Sequence, residues 1–250
     1  MRTIIKAELL KMNKRNIFLF LIAFNGISIM YALGIYFGWS WVSFEGEYDA
    51  IRYVSAMWHL LFLLGIPLVL FMYLGASIIG TERIQGQLIL EVTRAANTAK
   101  LITAKFISML IVILTYFITN IIISFICYSL FVSKTQYAMD SLIVLDAGNI
   151  RLIVSCIAVV FYLVSSVFFA MLISIRGSAI FSTIAGIVLY TVLSLGARTV
   201  DIGQWVPGYL ALYSLADFNA LIVIYQLILG VIFIFTLWIL TIRGFKRMDL

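Results

Sequence analysis

The sequence has little charge, and its long hydrophobic runs carry none at their centres. Only 11% of its 250 residues are charged and 64% are hydrophobic, whereas about a quarter of the residues in a soluble domain are charged. Apolar runs of about 20 residues, each long enough to cross a hydrocarbon layer of roughly 30 Å, take up most of the chain. The sequence therefore predicts one transmembrane domain, residues 1–250, surrounded by a lipid bilayer.

Residue types that carry chemistry are also scarce. Cys127 and Cys156 each lie inside an apolar run, where a thiol acts as a small hydrophobic group, so neither a disulfide framework nor a cysteine metal site is expected. The single histidine, His59, is best explained as a packing residue because no partners for catalysis or metal binding are visible. Without charges inside the spans, a proton relay, an ion-coupling carboxylate and a voltage sensor are not expected. We expect no catalytic residue, and no metal or cofactor bound by this chain.

Continuous apolar runs predict helices, because lipid offers backbone groups no hydrogen-bond partners and a membrane barrel would need alternating residues. The expected fold class is all-α, a polytopic membrane protein with six transmembrane helices. The first run is too long for the hydrophobic part of a secretory signal and is expected to remain as a span. The predicted spans are residues 17–37, 58–80, 106–132, 152–175, 179–196 and 220–242.

The distribution of basic residues predicts the orientation of the chain. The formal net charge of +6 is not gathered on a polar fold that would bind nucleic acid, so no nucleic-acid partner is expected. Most Lys and Arg residues lie in the leader (1–16), in the segment 81–105 and after the last run. Cytoplasmic loops are enriched in such residues, so these segments and both termini of this multi-pass chain are expected in the cytoplasm.

Two further segments are expected to be helical without crossing the membrane. Ile5, Leu9 and Met12 share one helical face of the basic leader, which predicts a helix on the membrane surface. The extracellular loop 197–219 contains a Pro-Gly turn at Pro207 and Gly208 followed by an apolar stretch that is too short to cross. This stretch predicts a short re-entrant or interfacial helix before the sixth span.

The segment between the second and third spans also predicts a short helix. Thr81 is placed to cap it, Glu82 lies in its first turn and Arg94 near its last, as the helix dipole prefers. Its apolar stripe consists of Ile84, Leu88 and Val92. This stripe must pack on the membrane surface, on the ends of the spans or in the groove of a partner protein.

The same segment resembles the loop between spans two and three of type-2 ATP-binding-cassette (ABC) exporter permeases, usually written Glu, then Gly-Thr-Leu, then Arg-Pro, then Gly-Lys. The corresponding residues are Glu82, Gly86-Gln87-Leu88, Thr93-Arg94 and Lys105-Phe106. The sequence departs from the pattern at Gln87, Ala95 and Ala104. The basic leader, the six spans, the re-entrant element and the basic tail 243–250 resemble the family too.

The resemblance implies a permease subunit that pairs with a second permease subunit, identical or paralogous, and with separate cytoplasmic ABC ATPase subunits that bind ATP and Mg. It implies an amphipathic cargo, because compact permeases of this kind export antimicrobial peptides, lantibiotics, bacitracin-like drugs or peptide toxins. Residues of the segment between spans two and three would couple the ATPase to the spans. The candidates are Glu82, Arg83, Gly86, Gln87 and Arg94.

Neutral polar residues within the spans are candidates for the substrate pathway, with hydrogen bonding between helices as their alternative role. They are Asn25, Asn120, Ser124, Ser165, Ser166 and Gln226. Neutral spans also suit a passive channel or a non-transporting sensor or immunity subunit, and these functions remain open alternatives. An intramembrane enzyme is less expected because no nucleophile and base are visible.

Overall fold

The computed structural model describes residues 1–42, 46–94, 97–199, 203–212 and 219–247. Within these ranges the regular structure is helical, apart from an isolated β-bridge between Tyr48 and Ala138. The described helices are α1 (Arg2–Lys14), α2 (Ile17–Phe24), α3 (Gly26–Phe37), α4 (Ala50–Leu63), α5 (Ile66–Ile84), α6 (Gln87–Arg94), α7 (Thr98–Leu130), α8 (Ala147–Ser174), α9 (Ala179–Ala197), α10 (Tyr209–Leu212) and α11 (Ala220–Lys246).

The all-α prediction with six potential spans is confirmed. In the described part of the chain, six helical segments are long and apolar enough to cross a membrane. The first combines α2 and α3, which meet at Asn25 without leaving helical geometry, and the others are built on α5, α7, α8, α9 and α11.

The fourth span, α8, lies at the centre of the bundle. It packs against α4, α5, α7, α9, α10 and α11, and most of its length is buried inside the chain. Gly75 allows α5 to approach α8 closely, since a Cβ there would lie 2.7 Å from Val167 Cγ1. Membrane helices associate mainly through such close packing and through hydrogen bonds, because lipid is as apolar as their side chains.

The second predicted span, 58–80, is wrong as one continuous helix. The chain breaks after α4 at Gly65, whose φ of +70° is left-handed, and Pro67 occupies the first turn of α5. Proline suits that position because the N–H it lacks would have no helical partner there. The helix α4 begins earlier than predicted, at a cap formed by Asp49.

The predicted start of the third span, residue 106, is too late. The helix α7 starts at Thr98, where the Asn97 side chain accepts a hydrogen bond from Lys100 N. Lys105 therefore lies inside the helix and not at its entrance, and its side chain is fully buried. This shift in the start of the helix places a charge in the packed part of the bundle.

The leader forms the predicted helix, α1, but it is not simply a surface helix. It packs against α7, and both Glu8 and Met12 are buried. The predicted short helix in the 197–219 loop is present as α10, preceded by the 3-10 turn Gly203–Trp205. Leu210 is buried against the bundle, whereas residues 213–215, which complete the predicted apolar stretch, lie outside the described residues.

A polar network joins the starts of α4 and α8 at the end of the bundle away from α6. The buried Asp49 carboxylate accepts hydrogen bonds from Arg52 N (2.9 Å), Val144 N (2.9 Å) and Asn149 Nδ2 (2.6 Å). Arg52 in turn donates to Asp146 Oδ2 at 3.1 Å. The Asn149 backbone N–H and Arg52 hold the pKa of Asp146 below its ordinary value. This network fixes two helix starts that the sequence separates by almost 100 residues.

Candidate functional site

A cluster of charged side chains lies where the connection from α5 through α6 to α7 closes one end of the bundle, which we call the connecting end. Among the described residues it contains carboxylates and ammonium groups from four helices. The members of this charged cluster are Glu8 and Lys11 of α1, Glu82 of α5, Glu91 of α6 and Lys105 of α7.

Each ammonium group of the charged cluster contacts all three carboxylates. Lys105 Nζ lies 3.0 Å from Glu8 Oε1, 2.5 Å from Glu82 Oε2 and 2.9 Å from Glu91 Oε2. Lys11 Nζ lies 3.2 Å from both Glu8 Oε1 and Glu82 Oε1, and it also donates to Glu91 Oε1. The four helices are therefore joined through two shared cations.

Burial makes these contacts obligatory. The side chain of Lys105 is 0% exposed and that of Glu82 is 1% exposed. Removing an ion from water costs several kcal/mol, and only close, hydrogen-bonded pairing offsets that penalty. Since three carboxylates face two ammonium groups, the charged cluster has a formal net charge of about −1. Loss of either lysine would leave buried negative charge uncompensated.

The electrostatics favour the charged forms of the groups outside the spans. Burial lowers the pKa of Lys11, but the neighbouring carboxylates outweigh it and raise that pKa above its ordinary value. Burial raises the pKa of Glu91, but Lys105 and Lys11 outweigh it and hold that pKa below its ordinary value. Both groups are therefore ionised at neutral pH.

The carboxylate oxygens of Glu8, Glu82 and Glu91 lie within 4.8 Å of one another, a spacing that suits a bound cation. Lys11 and Lys105 already supply positive charge at that position. The donor set is therefore satisfied by the chain's own ammonium groups. It forms an ion-paired joint between helices.

Arg83, the neighbour of Glu82, binds the end of another helix. Its guanidinium donates to the carbonyl oxygens of Ile175 (2.6 Å), Arg176 (3.0 Å) and Gly177 (3.2 Å). Carbonyls at a helix C-terminus lack intrahelical partners and carry partial negative charge, so a cation there is favourable. The last turn of α5 is thus fastened to the turn between α8 and α9.

The predicted helix between spans two and three exists as α6, but its start was predicted wrongly. Thr81 does not cap it, because α5 continues to Ile84. The chain then turns at Gly86, whose φ is +73°, and α6 begins at Gln87. The left-handed conformation at Gly86 allows this sharp change of direction between two helices.

The predicted apolar stripe is correspondingly divided. Leu88 is fully buried and Val92 packs beside it on the ends of the spans, one of the three predicted locations. Ile84, by contrast, is 65% exposed, and Ile89 and Leu90 are also exposed. The exposed residues of the connection, which we call the outer face of α6, are Ile84 at the end of α5 and Gln87, Ile89 and Leu90 of α6.

The structure places the coupling candidates in different environments. Glu82 and Arg83 bind other parts of the same chain, Gly86 forms the turn, and Gln87 is exposed. The side chain of Arg94 lies outside the described residues.

Asn25 and Asn120, two of the pathway candidates, lie together. Asn120 Nδ2 donates to Asn25 Oδ1 at 3.1 Å and to Ser28 Oγ at 3.3 Å, which joins the first span to the third. Within the described residues, Asn120 Oδ1 and Ser124 Oγ are buried without a hydrogen-bond partner. Such buried polar atoms are uncommon in folded proteins.

The remaining pathway candidates make local contacts. Ser165 and Ser166 donate to carbonyls four residues earlier in α8. Gln226 Nε2 donates to Gln204 O (2.6 Å) and Val206 O (3.0 Å), so it fastens the turn before α10 to the sixth span. Only the Gln226 bonds join separate elements of the bundle, whereas the Ser165 and Ser166 bonds stay within α8. Substrate contact stays a prediction for all three residues.

His59 packs between structural groups. Its Nδ1 lies 2.8 Å from Ser55 O and its Nε2 lies 2.9 Å from Ser155 Oγ, which itself donates to Leu210 O. The Nε2 contact thus connects α4 to α8 and, through Ser155, to α10, whereas the contact of Nδ1 with Ser55 O stays within α4.

Sequence reasoning missed Glu8, Lys11, Glu91 and Lys105 as site residues. The spacing of Glu8 and Lys11 by three positions on one helix was a visible signal, since such residues are neighbours on a helix surface. Lys105 was placed at the mouth of a span because the first turns of α7 were not recognised as helix.

Comparison of the chain with protein-family models, with curated proteins and with solved structures finds no match.

Proposed function

We propose that this chain is the permease subunit of an ATP-driven ABC exporter in a bacterial plasma membrane. In this proposal the connecting end faces the cytoplasm, a separate ATPase docks there, and a second permease subunit completes the pathway. The cargo is amphipathic, most simply an antimicrobial peptide, a peptide toxin or a drug. The observation that carries the proposal is the construction of α6, which is anchored inward by buried charges and exposed outward.

The inward anchoring supports a role in transmitting force. Glu91 of α6 shares Lys105 and Lys11 with Glu82 of α5 and Glu8 of α1. Pulling these groups apart would strand buried charge, so a displacement of α6 is expected to move α1, α5 and α7 with it. Arg83 extends the same connection to the end of α8.

The outer face of α6 supports docking of a cytoplasmic partner. Ile84 and Leu90 are 65% and 57% exposed, and they flank the exposed Gln87. A short helix with an apolar outward side is a common element for insertion into a partner's groove. The resemblance of this segment to the ABC exporter loop supports an ATPase as that partner.

The separate ATPase would also supply the nucleotide-binding site and the energy source that the sequence of this chain lacks. Gly75 and Gly80 have the first spacing of a phosphate-binding loop, but Thr81 and Glu82 follow where such a loop has lysine and a hydroxyl residue. Charges buried inside the described spans lie at their ends, in the charged cluster, so no ion gradient has an evident route through them. Active transport by this chain would need an external source of energy.

Site-directed crosslinking tests the proposal. Gln87→Cys is placed on the outer face of α6, and the chain is purified from its own cells after treatment with a short thiol crosslinker. We expect a crosslinked protein with a nucleotide-binding loop and ATPase activity. The matched control is Ser133→Cys, at an exposed residue just beyond the opposite end of α7.

A crosslink to an ATPase from Gln87→Cys but not from Ser133→Cys supports the proposal. Absence of any ATPase in the purified complex, or transport by the purified chain alone, contradicts it. A channel or a sensor subunit would be the remaining interpretation in that case.

A further inference from the structure

A long apolar groove lies between α7, α8 and α11. Its volume is about 620 Å³, and along α7 it reaches from Thr103 to Phe117. At a rise of about 1.5 Å per residue, this distance is roughly 21 Å. The groove is therefore an extended slot parallel to the spans and open at the side of the bundle.

The lining of the groove favours an apolar ligand. Its side chains are apolar except for Thr103 and the indole N–H of Trp238, and these two satisfy each other. Trp238 Nε1 donates to Thr103 Oγ1 at 3.2 Å, and Thr103 Oγ1 donates to Ala99 O at 2.7 Å. An occupant of the groove gains only apolar contacts, which favours hydrocarbon.

Positive charge lies at the mouth of the groove at the connecting end. Lys100 precedes Thr103 by three residues of α7, and Lys246 follows Trp238 by eight residues of α11, so both lie beyond the lining residues toward the connecting end. Both lysines are exposed. An occupant with an apolar body and an anionic head would match both the slot and its mouth.

The volume of the groove suits one acyl chain. At about 30 Å³ per water-sized group, 620 Å³ corresponds to on the order of twenty such groups, which is the scale of one long acyl chain.

We propose that the groove binds an acyl chain of an anionic phospholipid from the leaflet at the connecting end, with its head group at Lys100 and Lys246. This site is separate from the charged cluster and does not depend on the proposed transport function. One bound lipid would contact α7, α8 and α11 there.

Quenching of Trp238 fluorescence tests this site. The full chain is reconstituted into phosphatidylcholine vesicles that contain a small fraction of phosphatidylglycerol or phosphatidylcholine brominated in its acyl chains. The Trp238 signal is the difference between the native chain and Trp238→Phe. We expect half-maximal quenching at a several-fold lower mole fraction of the brominated anionic lipid than of the zwitterionic one.

Two sets of variants separate the contribution of the acyl chain from that of the head group. Val231→Phe narrows the groove, whereas Ile232→Phe, on a neighbouring exposed residue outside the lining, is its matched control. We expect Val231→Phe to reduce the quenching several-fold and Ile232→Phe to leave it unchanged. The double change Lys100→Gln and Lys246→Gln should abolish the preference for the anionic lipid.

Equal quenching by the two lipids in the native chain would overturn the proposal, because Trp238 would then be sampling bulk lipid. Equal behaviour of Val231→Phe and Ile232→Phe would also overturn it. Protection of Trp238 from both lipids would show that protein, such as a second copy, covers the groove. None of these results would affect crosslinking of an ATPase to α6, so the two proposals fail independently.

Discussion

Replacing Lys105 by methionine removes the ammonium group at the centre of the charged cluster while keeping a flexible side chain of similar length. Glu8, Glu82 and Glu91 then remain with Lys11 as their single shared cation, and the formal net charge of the cluster changes from about −1 to about −2. Lys105 Nζ contacts these carboxylates at 3.0, 2.5 and 2.9 Å. The loss therefore affects α1, α5, α6 and α7 at once.

The expected destabilisation follows from burial. Removing one partner of a buried ion pair costs about 3–5 kcal/mol, because the charge left behind stays desolvated. Lys11 is 36% exposed and keeps part of the compensation. We therefore expect Lys105→Met to lower the free energy of unfolding by about 3–5 kcal/mol. Lys100→Met, an exposed lysine of the same helix, is the matched control and should stay within about 0.5 kcal/mol.

Unfolding by sodium dodecyl sulfate in mixed micelles, followed by circular dichroism, measures the difference. The double variant Lys105→Met with Glu82→Gln removes one of the stranded charges, so its destabilisation should be smaller than the sum of the two single changes by about 1–3 kcal/mol. The account of the charged cluster is refuted if Lys105→Met behaves like Lys100→Met, or if the two changes are simply additive.

Three further expectations concern stability in the same assay. Gly86→Ala should cost about 1–2 kcal/mol through its left-handed φ alone, since a Cβ there meets no atom within 4 Å; an unchanged midpoint would contradict that turn. Asp49→Ala should lower the free energy of unfolding by at least about 2 kcal/mol, because it removes a helix cap and strands buried donors. Its control is Glu47→Ala, which removes an exposed carboxylate, and equal stability of these two variants would argue against the network. The third expectation concerns pH. The lowered pKa of Glu91 contributes stability that is present above its unfolded pKa of about 4.3 and is lost as pH falls through its folded pKa. The raised pKa of Lys11 contributes stability that is present below its unfolded pKa of about 10.4 and is lost as pH rises through its folded pKa. These two groups should thus leave stability nearly constant between about pH 7 and 10, and a steep change within that range would contradict these assignments.

The spans were predictable because they depend on local composition. An apolar run of about 20 residues has no alternative to a helix in lipid, whatever its neighbours are. The break at Gly65 and Pro67 was also encoded locally, since both residues interrupt helices. It was missed because the apolar run continues through the break without a polar residue.

The charged cluster was not predictable in the same way. Glu8 and Lys105, which lie 3.0 Å apart, are separated by 97 positions in the chain. Their pairing depends on how α1 packs against α7, which no local pattern encodes. Glu82 was identified only through the resemblance of its segment, and its role as a partner of Lys105 required the packing to be known.

The start of α6 illustrates how packing overrides a cap signal. Thr81 is a good capping residue, yet α5 continues through it. Gly80 lies against the turn between α8 and α9, where a Cβ would be 3.3 Å from Ala179 N. The end of α5 is further held by Arg83, so the helix ends where these tertiary contacts end.

ATP hydrolysis by the purified complex of this chain with the proposed ATPase partner, compared between the native chain and Glu82→Gln, tests the proposed coupling role most directly. Rates are normalised to the amount of ATPase bound, and the ATPase alone gives the baseline. We predict that the Glu82→Gln complex still assembles through the outer face of α6 but loses most of the hydrolysis that the permease stimulates. A Glu82→Gln complex that assembles and hydrolyses ATP at the native rate would contradict this role.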